Sequence, residues 1–180
     1  GFFTAEFYKR VTGVRALAAR LLAFAVNMSS NVIILTFSET VSASTFNPTN
    51  LTLYTPLLEA ATVNYTLTTS YVAPLVDSTM IYVQLSSVDS NQIKALSPQL
   101  ATSVSNTFLA ISSGAIKDTS GNPVLPANLN ASAFDTDIIP PVLLSFSFNL
   151  TSGVLTLTFS KTVNASTLIT VTKDRRQTSP

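Results

Sequence analysis

The side chains in this sequence that could do chemistry are mostly amides, hydroxyls and a few carboxylates. Six Asn-x-Ser/Thr sequons occur, at Asn27, Asn50, Asn64, Asn130, Asn149 and Asn164, none with Pro in the middle position. Each is an acceptor pattern for an N-linked glycan in a eukaryotic secretory protein. Asn27 and Asn149 fall at expected hairpin turns, where a sugar would point into solvent. Asn64 sits inside a strand pattern and is the least favourable of the six. Composition alone also generates sequons, since the chain holds 25 Thr and 23 Ser among 180 residues. The carboxylates of Asp135 and Asp137 stand just before Pro140-Pro141. Paired oxygens at a domain junction can hold calcium, the one cofactor the sequence suggests. Calcium takes six or more oxygens, however, and a solvated acidic linker accounts for the same two residues.

The missing residue types narrow the chemistry. There is no His, no Cys and no Trp. That excludes a Ser-His triad, a thiolate nucleophile, an imidazole ligand and a zinc-thiolate site. No Ser-x-x-Lys motif supplies a lysine base. A glycosidase needs two acids about 5–10 Å apart in a cleft, and no acid pair here is flanked by aromatic platforms. The expectation is therefore no enzyme and no catalytic residue. Ten basic against nine acidic residues give a charge of +1, which argues against nucleic acid as a partner.

The elements that must position these groups show themselves through a repeat. Residues 21–46 read LLAFAVNMSSNVIILTFSETVSASTF, and residues 143–168 read LLSFSFNLTSGVLTLTFSKTVNASTL. The ungapped offset is 122 residues, and 15 of the 26 aligned positions are identical. Glu39 is replaced by Lys161, so a role for that carboxylate in every unit is excluded. A period of this size is too long for a solenoid coil and suits an autonomous sandwich domain.

Within each copy, apolar residues alternate with hydroxyls. Phe146, Phe148 and Leu150 share one face of an extended segment, and Leu155, Leu157 and Phe159 share one face of the next. That pattern predicts a hairpin with one apolar and one hydroxylated face. Phe37 and its equivalent Phe159 are expected to point into a core. The turn holds Ser30-Asn31 in one copy and Ser152-Gly153 in the other, and both Asn and Gly tolerate positive φ. Further strands are expected at 50–54, 62–69, 79–85, 106–112 and about 130–134. Val88–Ser97 predicts a short helix, capped by Asp89 or Ser90 and ended by Pro98, with Ile93 and Leu96 facing the sheet. Asp118-Thr-Ser-Gly-Asn-Pro123 predicts a tight turn in which the Asp bonds forward to backbone N–H groups. The fold expected is an all-β, antiparallel, Ig-like β-sandwich: one full repeat plus the first strands of a second.

The Asp137-Ile-Ile-Pro140-Pro141 lead, the strand LTFSETV at 35–41 and the turn IKDTSGNPV at 116–124 together resemble a known family. They are similar to tandem Ig-like repeats of S-layer and other large cell-surface proteins, related to bacterial Ig-like and fibronectin type III sandwiches. The resemblance covers about residues 21–172. It implies an extracellular structural spacer or adhesion module with no catalytic residues to transfer. The alternative is a carbohydrate- or protein-binding module using loops, an edge strand or tyrosines such as Tyr54, Tyr65, Tyr71 and Tyr82. Partners expected are neighbouring repeats of the same chain, with glycans or cell-surface proteins second.

The expected organisation is an atypical segment at 1–20, helical or a gene-model artefact, a sandwich repeat at 21–137, the start of a second repeat at 138–172, and a polar tail at 173–180. Arg15 and Arg20 interrupt the apolar run of the first segment, which leaves it too short and too charged to span a bilayer.

Overall fold

The computed structural model of the chain describes residues 18–56 and 62–167. The expectations for 1–17, for a strand after residue 167 and for the tail lie outside these residues. The chain forms two compact units, Gly1–Ile139 and Pro140–Pro180.

The first unit is an all-β sandwich. Its strands are β1 (Leu21–Asn27), β2 (Val32–Ser42), β3 (Leu51–Thr55), β4 (Val63–Thr66), β5 (Tyr71–Val72), β6 (Ser78–Gln84), β7 (Phe108–Ile111), β8 (Lys117–Asp118), β9 (Ala127–Asn130) and β10 (Ala133–Asp135). One sheet runs β10-β1-β2-β6-β5, with β8 also paired to β2, and the other runs β4-β3-β7-β9. Every pairing is antiparallel except β1 with β10, which is parallel. The core lies between the sheets. Phe24, Val26, Ile33, Leu35 and Phe37 enter from the first, and Leu51, Leu53 and Leu109 from the second, all at most 2% exposed. Full burial of each such side chain contributes about 1.5–3 kcal/mol. With no crosslink in the sequence, this burial is the main source of stability.

The segment expected as one strand near 130–134 is two. Ala131 N–H donates to the Thr107 carbonyl on the β7 side, whereas Ser132 N–H donates to the Phe24 carbonyl on β1. The chain changes sheets between these two residues, ending β9 and starting β10. Such a crossing puts the last strand of the unit beside its first.

The single α-helix among the described residues, α1, spans Ser87–Ala95. Its N-cap is Ser86, whose hydroxyl accepts from Asp89 N–H, and neither Asp89 nor Ser90 caps it. Ile93 faces the core fully buried, with Leu96 partly buried beside it. The turn at 118–122 forms as expected. Asp118 Oδ1 accepts from Ser120 N–H and Asn122 N–H at 2.8 Å each, and Gly121 takes φ +84°. Burial raises the Asp118 carboxyl, but the Asn122 amide and the surrounding backbone N–H groups outweigh it and hold it below the usual range.

The second unit holds the hairpin β11 (Leu143–Asn149) and β12 (Val154–Phe159). Its register copies that of β1–β2 position for position, including the irregularity after the first pair: Leu21↔Phe37 and Ala23↔Thr36 become Leu143↔Phe159 and Ser145↔Thr158. Its apolar face is open. Phe146, Phe148 and Leu155 are 70%, 55% and 55% exposed, and Phe159 is half-buried.

Candidate functional site

Two polar constellations stand out in the first unit, one buried and one at its exit. The buried one centres on Asp89, the third residue of α1, which is 0% exposed. Its Oδ1 accepts from Tyr65 Oη at 2.8 Å, Thr68 N–H at 3.0 Å and Thr68 Oγ1 at 2.6 Å. Its Oδ2 accepts from Thr69 N–H at 3.0 Å, Ser70 N–H at 2.8 Å and Ser70 Oγ at 2.5 Å. Burial pushes this carboxyl up, but the donors from Ser70, Thr68, Tyr65 and Thr69 outweigh burial and hold it well below the usual carboxylate range. Burial, together with the bond to Asp89, raises the Tyr65 phenol. Six donors on two oxygens make Asp89 an anion clamp that fixes the chain between β4 and β5 onto the start of α1. Sequence reasoning missed this role. The available signal was Ser86-x-x-Asp89 at a helix start, together with three consecutive hydroxyl residues at 68–70.

The second constellation is the junction where the first unit ends. Asp135 and Asp137, the expected calcium pair, are placed differently from one another. Asp135 Oδ2 accepts from Asn27 Nδ2 at 3.0 Å. Asp137 Oδ2 meets the Lys94 ammonium at 2.9 Å, with both side chains mostly buried, and its Oδ1 accepts from Ile139 N–H. Lys94 also donates to Asn31 Oδ1 at 3.1 Å. Met28 N–H donates to the Asp135 carbonyl, Ser29 Oγ donates to the Thr136 carbonyl, and Ile138 N–H donates to Ser29 Oγ. Residues 135–138 are therefore stitched onto the β1–β2 turn and tied to α1. The cation beside Asp137 is Lys94, which sequence reasoning did not connect to the junction because 43 residues separate the two. Among the described residues, no group of three or more acidic, His or Cys side chains is arranged to hold a metal.

The sequons fall into distinct settings. Asn27 Nδ2 is engaged by Asp135, and Asn27 Oδ1 accepts from Ser30 N–H. Asn50 Oδ1 accepts from Ser112 Oγ, and its side chain lies against Gly114, where a Cβ would come within 2.8 Å of Asn50 Oδ1. Asn149 and Asn164 are exposed; Asn149 Oδ1 accepts from Thr151 N–H and Ser152 N–H, and Asn164 Oδ1 accepts from Ser166 N–H and Ser166 Oγ. Asn130 and Asn64 are exposed on β9 and β4, the two edge strands of one sheet. Asn64, the least favoured from sequence, is thus no less open than Asn130.

The fold and junction define a two-sheet all-β unit followed by a duplicate of its first hairpin. Neither a protein-family model nor a curated protein matches the sequence. Among solved structures, the chain is similar to the N-terminal part of the bacterial S-layer protein SbsC, at 18% identity and a TM-score of 0.41, over 81% of this chain and 31% of that one. It is similar to domains 1–6 of surface layer protein SbsC, at 16% identity and a TM-score of 0.43, over 86% of this chain and 20% of that one. It is also similar to a thermostable esterase, at 15% identity and a TM-score of 0.40, over 77% of this chain and 40% of that one. The chain thus spans less than half the length of each. The esterase corrects the expectation that the chain is not an enzyme. An esterase stands beside the surface-layer proteins among the similar structures, and missing His and Cys exclude particular mechanisms, not catalysis as a whole.

Proposed function

We propose that the chain is a stretch of a structural cell-surface protein built from tandem sandwich units, each acting as a spacer or adhesion bead. The observation that carries this reading is the duplicated hairpin, in the same register, at an offset of 122 residues. A chain that restarts its own fold directly after finishing one is building an array. The stitched exit at 135–138 supports the same reading, because it ties the end of the unit to its own β1–β2 turn and α1. Pro140-Pro141 follows at once, and consecutive prolines favour extended polyproline geometry. The hydroxyl-rich, charge-poor composition suits a crowded exterior, where the exposed sequons can carry glycans. Three S-layer fragments stand among the solved structures the chain is similar to, but that overlap is partial and the reading rests on the repeat.

Small-angle scattering tests it. Leu21 aligns with Leu143, so a tandem protein is made by joining residues 1–142 directly to residues 21–180. The expected particle is elongated, with a maximum dimension close to one unit length greater than that of the 180-residue chain. A particle no longer than the single chain overturns the spacer. The same measurement with calcium decides the junction chemistry. An unchanged profile is expected if Lys94 and Asn27 satisfy the carboxylates, whereas a calcium-dependent lengthening makes Asp135 and Asp137 ligands.

A further inference from the structure

The outer face of the larger sheet carries a feature that a spacer does not need. Pairing places Ala133, Ala25, Ile34 and Tyr82 in one row across four strands: Ala25 is opposite both Ala133 and Ile34, and Ile34 is opposite Tyr82. A cavity of about 270 Å³ opens over this row. The two alanines make its floor shallow. Tyr82, 40% exposed, lines one side, and Asn27 and Asp135 line the cavity beside the alanines. No Lys or Arg lines it.

The second hairpin serves as an internal control. Outward positions Ala23, Ala25 and Ile34 correspond there to Ser145, Ser147 and Thr156. Those hydroxyls support the same register, so hairpin formation does not demand apolar residues at these positions. A strand face turned to solvent is ordinarily polar. The first unit has exchanged three hydroxyls for hydrocarbon on its outer face while its core positions stayed the same or stayed apolar. Of the 11 differences between the two copies, these three place hydrocarbon where the other copy has a hydroxyl, all on the outer face, and that points to a contact made by this unit.

The lining chemistry selects the ligand. An aromatic side chain beside a shallow aliphatic floor accepts the C–H face of a flat ring. A carboxylate already oriented by an amide accepts hydroxyl donors. Without a cation in the lining, an anionic ligand meets only the negative Asp135. The volume lies just below the ~300–1,000 Å³ of clefts for larger ligands and suits a single ring. We propose that this trough is a subsite for one neutral pyranose ring, stacked on Tyr82 over Ala25 and Ala133, with its hydroxyls donating to Asp135.

The test is an NMR titration of the ¹⁵N-labelled full chain with methyl β-glucoside, N-acetylglucosamine and glucuronate at millimolar concentrations. The expected result is shifts at the Ala25, Ala133 and Tyr82 amides with at least one of the neutral sugars, and weaker shifts with glucuronate. Tyr82→Ala should weaken binding at least about tenfold, as loss of an aromatic anchor does. Ala25→Ser, which installs the residue found at the equivalent position of the second hairpin, should weaken it without lowering the thermal midpoint. No shift at these amides with either neutral sugar overturns the proposal. So do shifts that survive Tyr82→Ala, or equal binding of glucuronate. The scattering of the tandem protein is indifferent to all of these outcomes, so the spacer and the subsite fail separately.

Discussion

The hairpins β1–β2 and β11–β12 are nearly the same peptide in two settings. Both form the same ladder with the same irregularity, so the local sequence is sufficient to set turn and register. Asn31 at φ +56° and Gly153 at φ +67° perform the same turn, one using tolerance of the left-handed region and the other freedom from a Cβ. Burial is where the copies part. Phe24, Val26 and Leu35 are sealed by the opposite sheet, whereas Phe146, Phe148 and Leu155 are open. Alternation therefore encodes which face is to be covered, and only the remaining strands of a unit supply the cover. An isolated two-stranded hairpin is marginal in water, so the two copies should differ greatly in stability despite their shared sequence.

The largest expected effect separates them by a matched pair of substitutions. Phe37→Ala should cost the first unit about 3–5 kcal/mol, the range for emptying a filled aromatic site. Phe159→Ala should leave the unfolding free energy of the first unit within about 0.5 kcal/mol of its starting value, as changes away from its core do. Equal losses from the two, measured by urea unfolding, would break the comparison.

Next in size is the Asp89 clamp, which has no counterpart within the described part of the second unit. Asp89→Asn keeps the shape but removes the charge and replaces one acceptor oxygen with an NH2 donor facing three N–H and O–H donors, and it should cost at least about 2–3 kcal/mol at neutral pH. The folded carboxyl titrates below its unfolded value of about 3.9, so its contribution is fully present above that pH. Stability should fall as pH drops below about 4, and the slope should be shallower in the Asn variant. Asp118 is depressed in the same direction and should leave part of the slope in place. Identical slopes in the two proteins would remove Asp89 from the account.

The smallest effect sharpens the junction. Lys94→Met removes the ammonium between Asn31 and Asp137 and should cost about 1 kcal/mol or less, declining further with added salt. Faster amide exchange at Ile138 in this variant would locate the loss in the stitched exit. Exchange at Ile138 equal to that of the parent chain would mean that the bonds from Asn27, Met28 and Ser29 hold the segment without Lys94. The turn of the second hairpin carries Gly153 where the first has Asn31, so it lacks the amide to which Lys94 donates.

Much of the fold was legible because it was local. Alternation located β1, β2, β6, β11 and β12, and the Asp-Thr-Ser-Gly-Asn-Pro sequence located the turn after β8. What stayed hidden was non-local or very short. β5 and β8 are two residues each, too short to show a period. The parallel pairing of β10 with β1 joins residues 108 positions apart, and no local pattern marks it. Asp89 looked like a helix cap because its neighbourhood in sequence is a helix start, yet all six donors on its carboxylate come from the chain at 65–70. At the junction, Asp135 and Asp137 were visible as charges, but Lys94 and Asn27, which meet them, were not visible as partners.

Native-state hydrogen exchange on the intact 180-residue chain compares the two hairpins most directly. Amides of Ile33–Phe37 should exchange only through global unfolding of the first unit, whereas those of Leu155–Phe159 should exchange through local opening. The expected gap is at least about a thousandfold, which corresponds to roughly 4 kcal/mol. Protection of the two stretches within a few-fold of each other would contradict the account, because it would mean that the second hairpin is stable without the cover its twin requires.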